Sequence, residues 1–190
     1  MTTHLDDQAW DYLVRVWEGT GAPEGCKVEI VEGIITVSPG PSKEDTFSVS
    51  RLHRRLAGVV PEDWEITQTQ VVAIPGVGGL YMPDLMVIPA QSMTGPGNTV
   101  PAGEALLVVE ITSRGNANHD RITKAHGYAK AEAPLYLLLD RWHTGRPTAT
   151  LYGEPEAGTY RVLASVEYGE KLTLPEPFGL TIDTGESPVN

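Results

Sequence analysis

The chain has a single cysteine, Cys26, in 190 residues. One thiol excludes an intrachain disulfide framework and fits a reducing compartment, so a cytoplasmic location is expected. Basic residues are scarce as well: 14 Lys and Arg stand against 25 Asp and Glu, for a net charge of −11. That balance argues against a protein that coats nucleic acid, which needs a basic surface. It leaves room for an enzyme of nucleic acids, because part of the acidity can belong to metal-binding carboxylates. Non-specific DNA affinity at physiological salt should then be weak. No apolar run approaches the roughly 18 residues of a membrane helix. The opening MTTHLDDQAW has neither the basic nor the apolar region of a secretory signal. No membrane partner is expected. His4, His53, His119, His126 and His143 show no transition-metal spacing.

Apolar residues make up 41% of the chain, enough for one packed core. A single domain over 1–190 is expected, with a helix over 6–18 and a tail over 184–190 peripheral to it. The 20 Gly and 15 Pro are scattered, which suits many short strands and turns. Asp6 or Asp7 can cap the first helix, where Trp10, Leu13, Val14 and Trp17 fall at helical spacing. KVEIVEGIITVSP predicts a hairpin turning at Glu32-Gly33. Ser42 caps a second helix that carries Val49, Leu52 and Leu56. WEITQTQVVAI, GLYMPDLMVIP and EALLVVEIT predict three strands, with GVGG at 76–79 as a hairpin turn and QSMTGPGNTVPAG as a loop. Residues 117–131 predict a helix with Ile122, Ala125, Tyr128 and Ala129 inward. LYLLLD, TATLYGEP, TYRVLASV and KLTLP complete the strands. The fold class is α/β or α+β, a mixed sheet with helices packed against it.

Two carboxylates carry the chemistry of this reading. Asp84 in YMPDLMVI and Glu110 in ALLVVEITS each sit in an apolar run that predicts a buried strand. A poorly compensated charge there costs several kcal/mol. The simplest partner for both, with a lysine nearby, is a divalent metal and a phosphate ester. Neighbouring strands could bring their oxygens to one hard cation, and Mg²⁺ is commonly held by one or two carboxylates plus substrate phosphate. Glu110 and Thr112 share one strand face. Asp120, Lys124 and Tyr128 recur every four residues and form one helical stripe. Plainer readings stand beside these. Asp84 can serve a turn, Glu110 and Lys124 can be a structural ion pair, and the stripe can face solvent. Arg51 and Arg54, with His53 and Arg55, form a basic cluster that could follow a DNA backbone or simply be a basic helix face. Arg114, in the loop after Glu110, could contact a phosphate or only water.

At these residues the chain resembles the PD-(D/E)XK nuclease superfamily. Pro83-Asp84 matches its first element and Glu110-Ile111-Thr112 its second, with Thr112 where lysine is expected. Within the superfamily it is most similar to the Uma-two family of putative restriction endonucleases. The matching stretches are VEIVEG at 28–33, SPGPS at 38–42, PDLMVI at 83–88, LVVEITS at 107–113, DRITKAHGY at 120–128 and PLYLLLD at 134–140. Departures fall at Val28, Ile34, Asp45, Glu132 and Leu137. The resemblance implies a restriction-endonuclease-like core that cleaves DNA with Mg²⁺ or Mn²⁺ and forms a homodimer. It implies that Asp84 and Glu110 hold the metal and that Lys124 supplies the missing lysine from the helix. It also implicates Glu29, and gives Asp120, Tyr128 and Thr112 supporting places. The alternative is a catalytically inactive module that keeps the fold for binding or assembly. Either Glu110→Ala or Lys124→Ala is expected to abolish cleavage without disturbing the fold.

Overall fold

The structure, a computed structural model, describes residues 6–186. Helix α1 (Asp7–Glu18) is capped by Asp6, whose carboxylate accepts the Ala9 amide at 2.8 Å. Its Trp10, Leu13, Val14 and Trp17 pack on Ile30, Val71 and Leu80. Strands β1 (Lys27–Val31) and β2 (Ile34–Ser38) form the predicted hairpin. Glu32 and Gly33 turn it with φ of 51° and 79°, the positive angles of a type I′ turn. Helix α2 (Lys43–Leu56) opens on a capping box. Ser42 Oγ accepts the Asp45 amide at 3.1 Å, and the Asp45 carboxylate accepts the Ser42 amide at 2.9 Å.

Two apolar runs that read as single strands are each divided. WEITQTQVVAI becomes β3 (Trp64–Thr67) and β4 (Val71–Ile74), with Thr69 turning the chain at φ 59°. GLYMPDLMVIP becomes β5 (Gly79–Tyr81) and β6 (Leu85–Pro89). Pro83 cannot donate to a ladder, and the strand breaks there. Asp84 therefore stands at the crossing between two sheets rather than inside a strand. The loop after β6 holds a further strand, β7 (Thr99–Pro101), parallel to β4. Then come β8 (Leu107–Ile111), β9 (Leu135–Asp140), β10 (Thr148–Glu156), β11 (Thr159–Glu167), β12 (Lys171–Thr173) and β13 (Thr181–Asp183).

The strands make a five-stranded sheet, β2-β1-β5-β4-β7, a six-stranded sheet, β11-β10-β9-β8-β6-β3, and the small pair β12-β13. In the larger sheet β8 and β9 are parallel and the other pairs antiparallel. Every residue of β8 and β9 is buried, as a parallel pair covered on both faces requires. One face of this sheet, with Leu85, Val87, Val109 and Leu137, packs on α2. The other, with Met86, Val108, Tyr136 and Leu138, packs on the five-stranded sheet and on α3 (Ala125–Lys130). Helix α1 covers the outer side of the five-stranded sheet.

The segment between β8 and β9 departs from the predicted helix. A π-helical turn, His119–Lys124, precedes α3. Ile122 is 68% exposed, whereas Asp120, Lys124 and Tyr128 are buried. Two residues from Lys124 along the turn, Ile122 points away from it. The polar stripe takes the inner side because charged partners wait there. At the C-terminus, Thr184 is buried and its hydroxyl donates to the Glu170 carbonyl at 2.7 Å, so the tail is anchored at its start. Residues 187–190 lie outside the described residues.

Gly127 in α3 lies against Tyr81, and a Cβ there would be 2.7 Å from Tyr81 Cε2. Alanine would add about 1 kcal/mol of helix propensity but incur about 1–3 kcal/mol of overpacking. Gly127→Ala should therefore lower the melting temperature in a thermal unfolding scan. A raised melting temperature would show that the Tyr81 ring yields freely.

Candidate active site

Glu29, Asp84, Glu110 and Asp120 meet Lys27 and Lys124 where the two sheets and the π-helical turn come together. Each group arrives for a local reason. β6 and β8 pair with Leu85 opposite Val109. One step further sets Asp84 opposite Glu110, and opposed residues share a sheet face. Their face is that of Met86 and Val108, toward α3 and the five-stranded sheet. Lys27 and Glu29 alternate on the inner face of β1, as strand geometry dictates. Asp120, Lys124 and Tyr128 descend from the turn and helix above.

Lys124 Nζ is the centre. It lies 2.9 Å from Glu29 Oε1, 3.1 Å from Glu110 Oε1 and 3.4 Å from Asp120 Oδ1. Tyr128 donates its hydroxyl to Glu110 Oε1 at 2.8 Å. Glu29 Oε1 also accepts the Met82 amide at 2.7 Å. Lys27 Nζ reaches Asp84 Oδ1 at 2.6 Å and the Met82 carbonyl at 3.0 Å. Asp84 Oδ2 accepts the Ile111 amide at 2.7 Å. The crossing residue Met82 is thus gripped at both its N–H and its C=O.

Burial pushes the Glu110 carboxyl up to about 6, with Lys124 opposing and Asp84 adding to the rise. Burial also raises Asp120 well above the ordinary range, against the pull of Lys124. The contact of Asp120 with Lys124 is an ion contact only, since neither of its buried oxygens has a hydrogen-bond partner among the described residues. Burial works to depress Lys124, but Glu110, Glu29 and Asp120 together hold it well above its usual value. When all six groups are ionised, four carboxylates outweigh two ammoniums by two charges. An excess of two negative charges on hard oxygens suits one divalent cation of the Mg²⁺ type. Among the described residues no three His, Cys, Asp or Glu side chains form a ready cage. An ion here would rest on Asp84 and Glu110, which fits the sparse protein coordination typical of Mg²⁺.

The other predicted residues are more dispersed. Thr112 does not face Lys124: its hydroxyl donates to Asp140 Oδ1 at 2.9 Å. Asp140 is clamped by Arg121 through Nε at 2.7 Å and Nη2 at 2.8 Å, tying the π-helical turn to the end of β9. Arg114 stacks over Trp142, 4.6 Å from the ring centroid. Arg51 and Arg54 lie on α2, across the six-stranded sheet from Glu110, so the structure does not bring them to the cluster. Arg51 sits 5.1 Å over the Phe47 ring, and Arg54 donates to Ser50 Oγ at 3.4 Å. Lys27 was missed by the sequence reading, although its alternation with Glu29 in KVEIV was a usable signal. Arg121 carried none beyond its place beside Asp120.

The family described as Uma2, putative restriction endonuclease, matches residues 11–185 of this chain. No curated protein matches it. Among solved structures, the chain is similar to a putative nuclease belonging to DUF820 from Anabaena variabilis. The TM-score is 0.68 at 16% identity, over 93% of this chain and 95% of that one. At that identity the likeness carries the fold, a mixed α+β arrangement of the restriction-endonuclease type.

Burial overturns the expectation that Lys124 can be removed without structural cost. Its side chain is 2% exposed, and its loss leaves three carboxylates without their shared cation. Lys124→Met should cost about 3–5 kcal/mol in chemical denaturation near neutral pH. A loss below about 1 kcal/mol would mean the cluster is solvated. In metal-free protein the Glu110 carboxyl should titrate near 6 rather than 4.5 by carboxyl-selective NMR. Its folded pKa being raised, the native state binds the extra proton, so this group's contribution to stability grows as pH falls from about 6 to about 4.5. A midpoint at or below 4.5 would show that the lysines outweigh burial.

Proposed function

The chain belongs to the Uma2 family of putative restriction endonucleases, and from that premise we propose that it is a Mg²⁺-dependent endonuclease hydrolysing phosphodiester bonds of DNA, with Mn²⁺ able to replace Mg²⁺. The observation that carries the reading is the placement of Asp84, one residue before β6, beside the neighbouring strand β8 of Glu110, where its Oδ2 accepts the Ile111 amide at 2.7 Å, with the Lys124 ammonium 3.1 Å from Glu110. A bound cation supplies polarisation of the phosphate and a more acidic attacking water. Asp84 and Glu110 are the residues that would hold it. Lys124 stabilises charge on the phosphoryl oxygens. Glu29 and Asp120 fix the Lys124 ammonium from the five-stranded sheet and from the helix. Tyr128 fixes the Glu110 oxygen, and Thr112 the loop beyond it. Lys27 neutralises Asp84. The reading includes a homodimer, for which β11, at the edge of the six-stranded sheet, offers an open strand edge.

One set of observations favours a second reading, a nuclease-fold module without catalysis. Lys124 is 2% exposed, Asp84 and Glu110 already carry ammonium partners, and Thr112 holds the usual lysine position. Supercoiled plasmid separates the two. Wild-type protein should nick it with Mg²⁺ or Mn²⁺ and not in EDTA. The near-isosteric Asp84→Asn and Glu110→Gln should each slow nicking by about 10²-fold or more, with unchanged circular dichroism. Failure to cut plasmid, single-stranded DNA or RNA with either ion would leave the second reading. Wild-type rates in both variants would remove the assigned site.

A further inference from the structure

We infer that Lys27 sets how tightly the site loads a divalent cation, because its ammonium occupies the Asp84 oxygen that the backbone leaves free. The inference rests on the reading that Asp84 and Glu110 would hold such an ion. It adds to that reading a competitor built into the chain.

The two oxygens of Asp84 have different duties. Oδ2 accepts the Ile111 amide at 2.7 Å. Oδ1 meets Lys27 Nζ at 2.6 Å. Lys27 Nζ also donates to the Met82 carbonyl at 3.0 Å. Carboxylate and backbone carbonyl oxygens are the ligands a hard cation takes, and here they receive an ammonium. A divalent ion on the same Oδ1 would lie within about 5 Å of that ammonium, given Mg²⁺–oxygen distances of about 2.1 Å. A like charge at that range opposes the ion strongly, and the opposition ends only when the lysine moves away.

The two lysines of the cluster differ in their freedom to move. Lys124 Nζ has carboxylates at 2.9, 3.1 and 3.4 Å, and its side chain is 2% exposed. Lys27 has a single carboxylate partner, and the pair stands 11% and 9% exposed. The pair is thus the outer edge of the cluster. A lysine there can keep its stem against the protein and carry its ammonium into water. In metal-free protein the same ammonium spares Asp84 from burial without a counter-charge. Removing it would free Oδ1 and deepen the negative potential around Glu110, and both changes favour a divalent cation.

Calorimetric titration of Mn²⁺ into EDTA-stripped, desalted protein tests this, with no nucleic acid present. Lys27→Met should bind Mn²⁺ about tenfold or more tightly than wild type. Lys27→Arg keeps the charge and should bind no more tightly than wild type. Adding Asp84→Asn to Lys27→Met should remove the gain, which assigns it to this carboxylate rather than to the acidic surface at large. Equal or weaker Mn²⁺ affinity in Lys27→Met overturns the inference, since Lys27 would then only orient Asp84. Wild-type protein supplies a second test that does not depend on a variant folding. By NMR, the Lys27 ammonium protons should exchange with water faster at saturating Mg²⁺ than in EDTA, and unchanged exchange also overturns the inference. The two levels of the reading fail separately. Mn²⁺ binding that Asp84→Asn abolishes and Lys27→Met leaves alone defeats only the competitor. An absence of Mn²⁺ binding in every protein defeats the cation reading, and the inference with it.

Discussion

The buried ammonium of Lys124 is the constraint on which the rest depends. Three carboxylates reach it from three separate elements: Glu29 from β1, Glu110 from β8 and Asp120 from the π-helical turn. None of these charges could stay buried alone, because each would face a desolvation cost of several kcal/mol. Together they hold one another, with the lysine as their shared counter-ion. The cluster forms only once the five-stranded sheet has docked on the six-stranded one and the turn has closed over both. Assembly of the site and completion of the fold are therefore one event.

The order of Pro83 and Asp84 has a physical reading in this frame. Extending the β6–β8 register beyond Leu85 and Val109 would set Pro83 opposite Ile111. Proline ends that pairing and lets the chain pass from one sheet to the other. The Ile111 amide is then taken by the Asp84 carboxylate at 2.7 Å. The same side chain thus repairs the ladder with one oxygen and meets Lys27 with the other. A proline followed by an aspartate at a sheet crossing yields an anchored carboxylate facing the neighbouring strand, which is the placement a shared cation needs.

Much of the fold was legible because it rests on local rules. The Glu32-Gly33 turn, the Ser42 cap and the continuous apolar runs of β8 and β9 each follow from near neighbours in sequence. The division of WEITQTQVVAI and GLYMPDLMVIP was not legible, since an apolar run looks the same whether its strand stays in one sheet or crosses to another. The exposure of Ile122 was hidden for a related reason. Hydropathy favours burying an isoleucine, and only the distant Glu29 and Glu110 make it better to bury Asp120 and Lys124. The cluster of Arg51 and Arg54 is plain in sequence, but which side of a sheet α2 covers is a tertiary fact. For Lys27 the alternation with Glu29 gave the face, while Asp84 opposite it came only with the docking of the two sheets.

Electrostatics also bears on the order in which the proposed function would assemble. Fully ionised, the cluster would carry two uncompensated negative charges among low-dielectric surroundings, and fewer wherever burial keeps the Glu110 or Asp120 carboxyl protonated. A phosphodiester brought to about 6 Å of them, at an effective dielectric near 20, meets roughly 3 kcal/mol of repulsion per charge. A divalent cation held by Asp84 and Glu110 would offset that excess and so ease the approach of a phosphate. The acidity of the whole chain works in the same direction, since it gives a strand little reason to settle elsewhere on the surface. Binding then depends on local grips. A protein with net charge −11 can act on a polyanion provided that attraction is confined to the few places where chemistry and recognition occur.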